Sequence, residues 1–181
     1  MTHTAHRTRI LRGGVASAGV LVLAVALSGC ASVSSLLGGA ERDAETEEVT
    51  QGGSESVFDI KPGDCLADPQ SDEVSDIEVV PCGEEHDYEL YHEFTTEHTE
   101  WPGSNEAFDD EAFDGCGSAF AEFVGLPFEE SPSLWFTWFT PTQQSWENGD
   151  DRTIQCMVYK SDDDQGSNVV PVTGTLEDSQ Q

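Results

Sequence analysis

The stretch NEAFDDEAFDGCGSAFAEFV, residues 105–124, decides how the rest of the chain is read. Its side chains Phe108, Ala112, Phe113, Cys116, Phe120, Phe123 and Val124 recur at helical steps and form one apolar stripe. Asp109, Asp110, Glu111 and Glu122 lie off that stripe, and the first three sit where the helix dipole favours negative charge. Gly125 and then Pro127 end the helix, because a left-handed residue followed by a ring without an N–H cannot continue it. Cys116 lies inside the stripe, so it faces the core and can reach a strand beneath the helix.

Strand signals flank this helix on both sides. Arg152 to Tyr159 places Ile154, Cys156 and Val158 on one face, so a bridge from Cys116 to Cys156 would staple helix to sheet. LWFTWFT, residues 134–140, holds Trp135, Phe136, Trp138 and Phe139 and reads as a strand buried on both sides; an exposed binding surface is the alternative, since Trp anchors interfaces. Upstream, Val57 to Ile60 reads as a short strand, Lys61-Pro62-Gly63-Asp64 as a turn and Asp76 to Pro81 as a second strand. Asp87 to Phe94 alternates, with Tyr88, Leu90, His92 and Phe94 on one face and Asp87, Glu89, Tyr91 and Glu93 on the other. Strands, one helix and strands again predict an α+β fold: a small antiparallel sheet with one main helix packed on it.

The 181 residues carry 7 Lys+Arg against 36 Asp+Glu, a formal charge of −29, which is opposite to what a phosphate backbone attracts and excludes nucleic acid as an expected partner. All 16 aromatic residues fall between Phe58 and Tyr159, which defines a folded domain over 57–160. Residues 30–56, including SSLLGGAERDAETEEVTQGGSES at 34–56, are small and acidic and predict a disordered tether. The polar stretch 161–181 (SDDDQGSNVVPVTGTLEDSQQ) predicts a disordered tail.

Arg7, Arg9 and Arg12 precede the apolar run VASAGVLVLAVAL, residues 15–27. At 13 residues it is shorter than the about 20 needed to span a bilayer and reads as the core of a signal peptide over 1–29. Leu27-Ser28-Gly29-Cys30 resembles the bacterial lipobox, which implies diacylation of Cys30 and anchoring at the outer face of the plasma membrane. The anchored form would keep Arg42, Lys61, Arg152 and Lys160 against all 36 acids, a net charge of −32 that draws basic partners.

Of five cysteines, removing Cys30 for the lipid leaves Cys65, Cys82, Cys116 and Cys156, an even set that predicts two disulfides outside the cytoplasm. Three pairings are open; joining neighbours within each half is the simplest. A zinc site is the rival, but no C-x-x-C pair is present.

The ordered set Pro62-Gly63-Asp64-Cys65, Val80-Pro81-Cys82, His86-Asp87, Trp101-Pro102-Gly103, Cys116, Pro141-Thr142, Trp146, Gly149-Asp150 and Cys156 resembles the septum-formation domain of actinobacterial envelope proteins over about residues 57–160. The resemblance implies an envelope-located domain linked to cell division and brings no catalytic activity or cofactor with it. Gly83-Glu84-Glu85 departs from the family's small residue and Pro, in a turn that keeps the Cys-to-His spacing.

His86, with Asp87 beside it, is the residue most open to a chemical reading, as general base or ligand; the plainer reading ties the turn to the sheet. His92 and His98 follow at six-residue steps, which on an extended strand span roughly 20 Å and do not converge on one metal. No G-x-S-x-G elbow accompanies them. Asp150-Asp151 and Asp162-Asp163-Asp164 invite calcium, but a loop counted from Ser161 has Gly166 sixth and Val172, not Glu, twelfth. The sequence thus predicts an accessory domain that contacts division or wall-assembly proteins, with a hydrolase using His86 and an acidic cation sensor as the alternatives.

Overall fold

The structure, a computed structural model, describes residues 38–69 and 74–181. After a 3₁₀ turn over Asn105–Phe108, helix α1 (Asp109–Val124) runs for 16 residues and stops at Gly125, which adopts a left-handed φ of 78°. Phe108, Ala112, Cys116, Phe120 and Val124, spaced by four, are fully buried. Phe113 lies one residue off that line and is 52% exposed, so the buried stripe is narrower than the periodicity predicts.

Six strands form the main sheet, every neighbouring pair antiparallel. In chain order they are β3 (Gly53–Ser56), β4 (Cys65–Leu66), β5 (Asp76–Val80), β7 (Tyr88–Thr95), β8 (Leu134–Phe139) and β9 (Thr153–Lys160), arranged as β3-β5-β4-β7-β9-β8. Helix α1 packs on β7, β8 and β9, where Ile154, Cys156 and Val158 meet its buried line as expected. A Cβ on Gly115 would run into the Phe94 ring, so this glycine sets how closely helix and sheet approach. The α+β architecture with one main helix is therefore the observed one.

Three strand readings need correction. Val57 to Ile60 forms a turn and its end, not a strand; the pairing residues lie just before it, in β3. The strict alternation of β7 fails because its register with β9 shifts between Leu90 and His92. Leu90 packs on the face away from α1, whereas Tyr91 and Phe94 pack toward it. Strand β8 is an edge strand, not one buried on both sides: Leu134 and Phe136 enter the core and the other four residues are half-buried.

Both disulfides join neighbours within each half of the chain. Cys65–Cys82 links β4 to the turn after β5, and Cys116–Cys156 links α1 to β9. With 40 residues of separation, the second restricts the unfolded chain by about 4 kcal/mol in the loop-entropy description.

Among the described residues, 38–56 and 161–181 are not a disordered tether and tail. Strands β1 (Glu41–Arg42) and β2 (Val49–Gln51) make a hairpin, β3 extends the main sheet, and Ala40, Val57 and Ile60 bury against Leu66, Val79, Leu90 and Met157. These few apolar side chains suffice because backbone pairing and one cation complete the closure. Arg42 grips the Asp64 carboxylate with both terminal nitrogens at 2.6 and 2.8 Å and reaches Glu55 at 2.7 Å. At the other end β10 (Val172–Thr173) pairs with β6 (Glu85–His86), and Leu176 enters the α1 core. The Asp178 and Gln180 N–H groups donate to the Phe123 and Val124 carbonyls, supplying partners that the end of a helix lacks.

Removing Arg42 leaves the nearly buried Asp64 carboxylate without its cation. We expect Arg42→Ala to cost about 2–3 kcal/mol, read as a lower urea midpoint. Lys61→Ala, which breaks an exposed pair with Glu47, should leave the midpoint in place. Equal, small effects would show that residues 38–56 do not brace the sheet.

Candidate functional site

The short strand β6 brings His86 to a corner between β4, β7 and β10. His86 is 1% exposed; its Nδ1 lies 3.0 Å from the Glu84 carbonyl oxygen, and among the described residues its buried Nε2 has no hydrogen-bond partner. Asp87 turns the chain into β7: its N–H donates to the Leu66 carbonyl at 3.0 Å and its Oδ2 accepts the Asp68 N–H at 2.8 Å. Both residues brace the turn after Cys82, the structural role the sequence allows.

Sequence reasoning missed the third member of the corner. The alternation puts Glu89 on the polar face of its strand, yet it is 2% exposed. Its two oxygens accept the Thr175 hydroxyl at 2.6 Å and the Leu176 N–H at 2.7 Å. Burial pushes its carboxyl above the ordinary 4.5, against the pull of these two donors and of nearby His86, while Glu177 adds to the rise. Each sulfur of Cys65 and Cys82 lies within 4.8 Å of a Glu89 oxygen. The two sulfurs are bonded to each other, so this trio offers no thiolate ligands. Nothing local in the sequence marks Glu89, because its partners lie 86 and 87 residues away.

The remaining signature residues occupy another element. Helix α2 (Gln143–Gly149) starts at Thr142, which shares reciprocal capping bonds with Ser145. Trp146 is 6% exposed and packs on Trp101 and Phe108, with the Arg152 guanidinium 3.5 Å from its ring centre. Arg152 also donates to the Trp146 and Asp151 carbonyls. Gly149 closes the helix, and Asp150, left-handed at φ 53°, pairs with Arg152 at 3.1 Å. Trp146, Gly149 and Asp150 thus form a lock of their own and do not join His86.

The acidic runs are also engaged. Asp151 accepts from the Ser145 hydroxyl and the Thr153 N–H. Asp163 accepts the Gln165 and Ser167 N–H groups, and the second and first of these hold its carboxyl below the usual range. Asp162 accepts from Asn168. Each carboxylate named here shapes a turn.

A shallow groove lies between α1 and β8, lined by Phe113, Gly117, Phe128 and Phe136, with Asp114 and Glu129 at its margin. Phe113 leans on Phe136 with ring centres 5.6 Å apart and stays half in water. Cys30 and the signal-like residues 1–29 lie outside the described residues. Among the described residues no helix is long and apolar enough to cross a membrane.

The septum formation family model matches residues 62–181, so the chain belongs to that family. The match starts at the Pro62-Gly63-Asp64-Cys65 turn and includes the segment that carries β10 and Leu176. Comparison with curated proteins and with solved structures gives no match.

Because the folded protein binds the Glu89 proton more tightly than the unfolded chain does, this group's contribution to stability is complete below about 4.5 and falls as pH rises through the raised value. Glu89→Gln keeps an oxygen for Leu176 and an amide for Thr175 but cannot ionise. Urea midpoints of the variant should gain on the natural protein as pH climbs from about 4 to 8. A gap that stays constant with pH would give Glu89 ordinary acidity.

Proposed function

We propose that this protein is a lipid-anchored contact domain on the outer face of the plasma membrane, held by acyl chains on Cys30, that serves septum formation or envelope assembly by binding another envelope protein. The family match supports the link to septum formation. The lipobox-like Leu27-Ser28-Gly29-Cys30 and the even cysteine set supply the reasons for the address.

The observation that carries the contact role is Phe113, an aromatic side chain held half in water beside the edge strand β8. An aromatic side chain that a partner can cover is the kind of anchor on which interfaces concentrate binding energy. With Asp114 and Glu129 at the margin and a strongly negative chain around them, the matching segment carries an apolar anchor flanked by Lys or Arg. The buried imidazole of His86 and the turn-forming use of the acidic runs lend no support to a hydrolase or a cation sensor.

In cells depleted of the natural protein, Phe113→Ser is expected to leave septa misplaced while accumulating and melting as the natural form does. Crosslinking from a photoreactive side chain at Ser118 should recover an envelope protein with a basic segment, about tenfold less of it in Phe113→Ser. Normal septa in the variant would remove the groove from the reading. Unreduced mass mapping of the membrane fraction tests the anchor separately, with acyl chains expected on Cys30.

A further inference from the structure

The two sulfurs of the Cys65–Cys82 bridge sit in unlike surroundings. Cys65 is fully buried in the sheet, whereas Cys82, in the turn after β5, is partly open to solvent. A thiolate arriving from water therefore meets Cys82 first, which makes Cys65 the leaving sulfur. Departing as a bare thiolate into a buried site is costly, because burial disfavours the charged form. A carboxyl group is in place to prevent that: Glu89 lies within 4.8 Å of both sulfurs, itself 2% exposed. Cys116 and Cys156 contrast with this pair, since both are fully buried and neither sulfur is open to attack.

We propose that Cys65–Cys82 is a redox-exchange site, opened at Cys82 by a reductant of the dithiol oxidoreductase class, with Glu89 giving its proton to the departing Cys65 sulfur. The incoming thiolate forms a bond to Cys82 Sγ as the Cys65–Cys82 bond breaks. The electron pair goes to Cys65 Sγ, which takes the Glu89 carboxyl proton and becomes a thiol, leaving Glu89 as a carboxylate. The reductant's second thiolate then attacks its own sulfur in the mixed disulfide. Cys82 is released and takes a proton from solvent, and the reductant closes its disulfide. Two electrons have passed from reductant to bridge.

The groups facing Glu89 set its readiness to give up the proton. His86 on β6 and the Thr175 and Leu176 donors favour the carboxylate; burial and Glu177 favour the acid. Reduction also loosens what the bridge holds, since Cys82 accepts the Gly174 N–H just beyond β10 through its carbonyl.

Two measurements on the purified, fully oxidised protein test this. Brief exposure to glutathione, acid quenching and peptide mapping should find the first adduct on Cys82 with Cys116–Cys156 intact. A first adduct on Cys65, or equal opening of both bridges, overturns the proposal. Opening by dithiothreitol should be at least about tenfold slower in Glu89→Gln at the lowest pH at which the reaction can be followed, with the gap closing as pH rises. The thiolate content of the reagent is common to both proteins and cancels. Thr175→Val loosens the same corner but keeps the acid, so its rate should equal or exceed that of the natural protein. Identical rates for Glu89→Gln and the natural protein at every pH, or equal slowing in Thr175→Val, defeats the proton-donor role.

Discussion

The seam between α1 and β9 is the constraint around which the other elements are arranged. Cys116–Cys156 fixes it covalently, and the Tyr91 hydroxyl donates to the Cys116 carbonyl at 2.7 Å from the next strand. Because a glycine precedes the helical cysteine, the Phe94 ring can lie against the backbone and the elements meet closely. That contact turns Phe113 outward and Phe120 inward, where Phe120 meets Tyr91, Phe128 and Phe136. The groove lined by Phe113 and Phe136 lies beside this seam.

Much of this could be read from the chain because it is local and periodic. The four-residue spacing from Phe108 to Val124 specifies a helix and its inner face, and the alternation of Ile154, Cys156 and Val158 specifies the strand it covers. What could not be read depends on partners far apart in the sequence. The bulge in β7 has no mark in DYELYHEF, since a register shift belongs to a pair of strands. Residues 38–56 are poor in apolar groups and look like solvated chain. Arg42 nonetheless finds Asp64 across 22 residues, and Gln155 donates from β9 to the Val57 carbonyl. Composition records how much a segment can bury, not whether a sheet edge awaits it.

The same distinction applies to the signature residues. Pro62-Gly63-Asp64, Asp87, Trp146, Gly149 and Asp150 all serve turns, caps or ring stacking, and Cys65 bridges β4 to Cys82. These residues hold a frame stapled by the two disulfides. Gly83 and Glu84 are exposed in the turn after Cys82, and the exposed Glu85 opens β6. Glu89, by contrast, answers to no signature and has a carboxylate oxygen within 4.8 Å of both sulfurs.

The placement of Leu176 under α1 bears on how the molecule comes into being. A ribosome delivers this residue after every other part of that core, so the nascent chain holds a helix and sheet with an unfilled slot and Glu89 still hydrated. Consolidation of this core therefore waits until residue 176 has emerged, and until then the helix and sheet stay pliable.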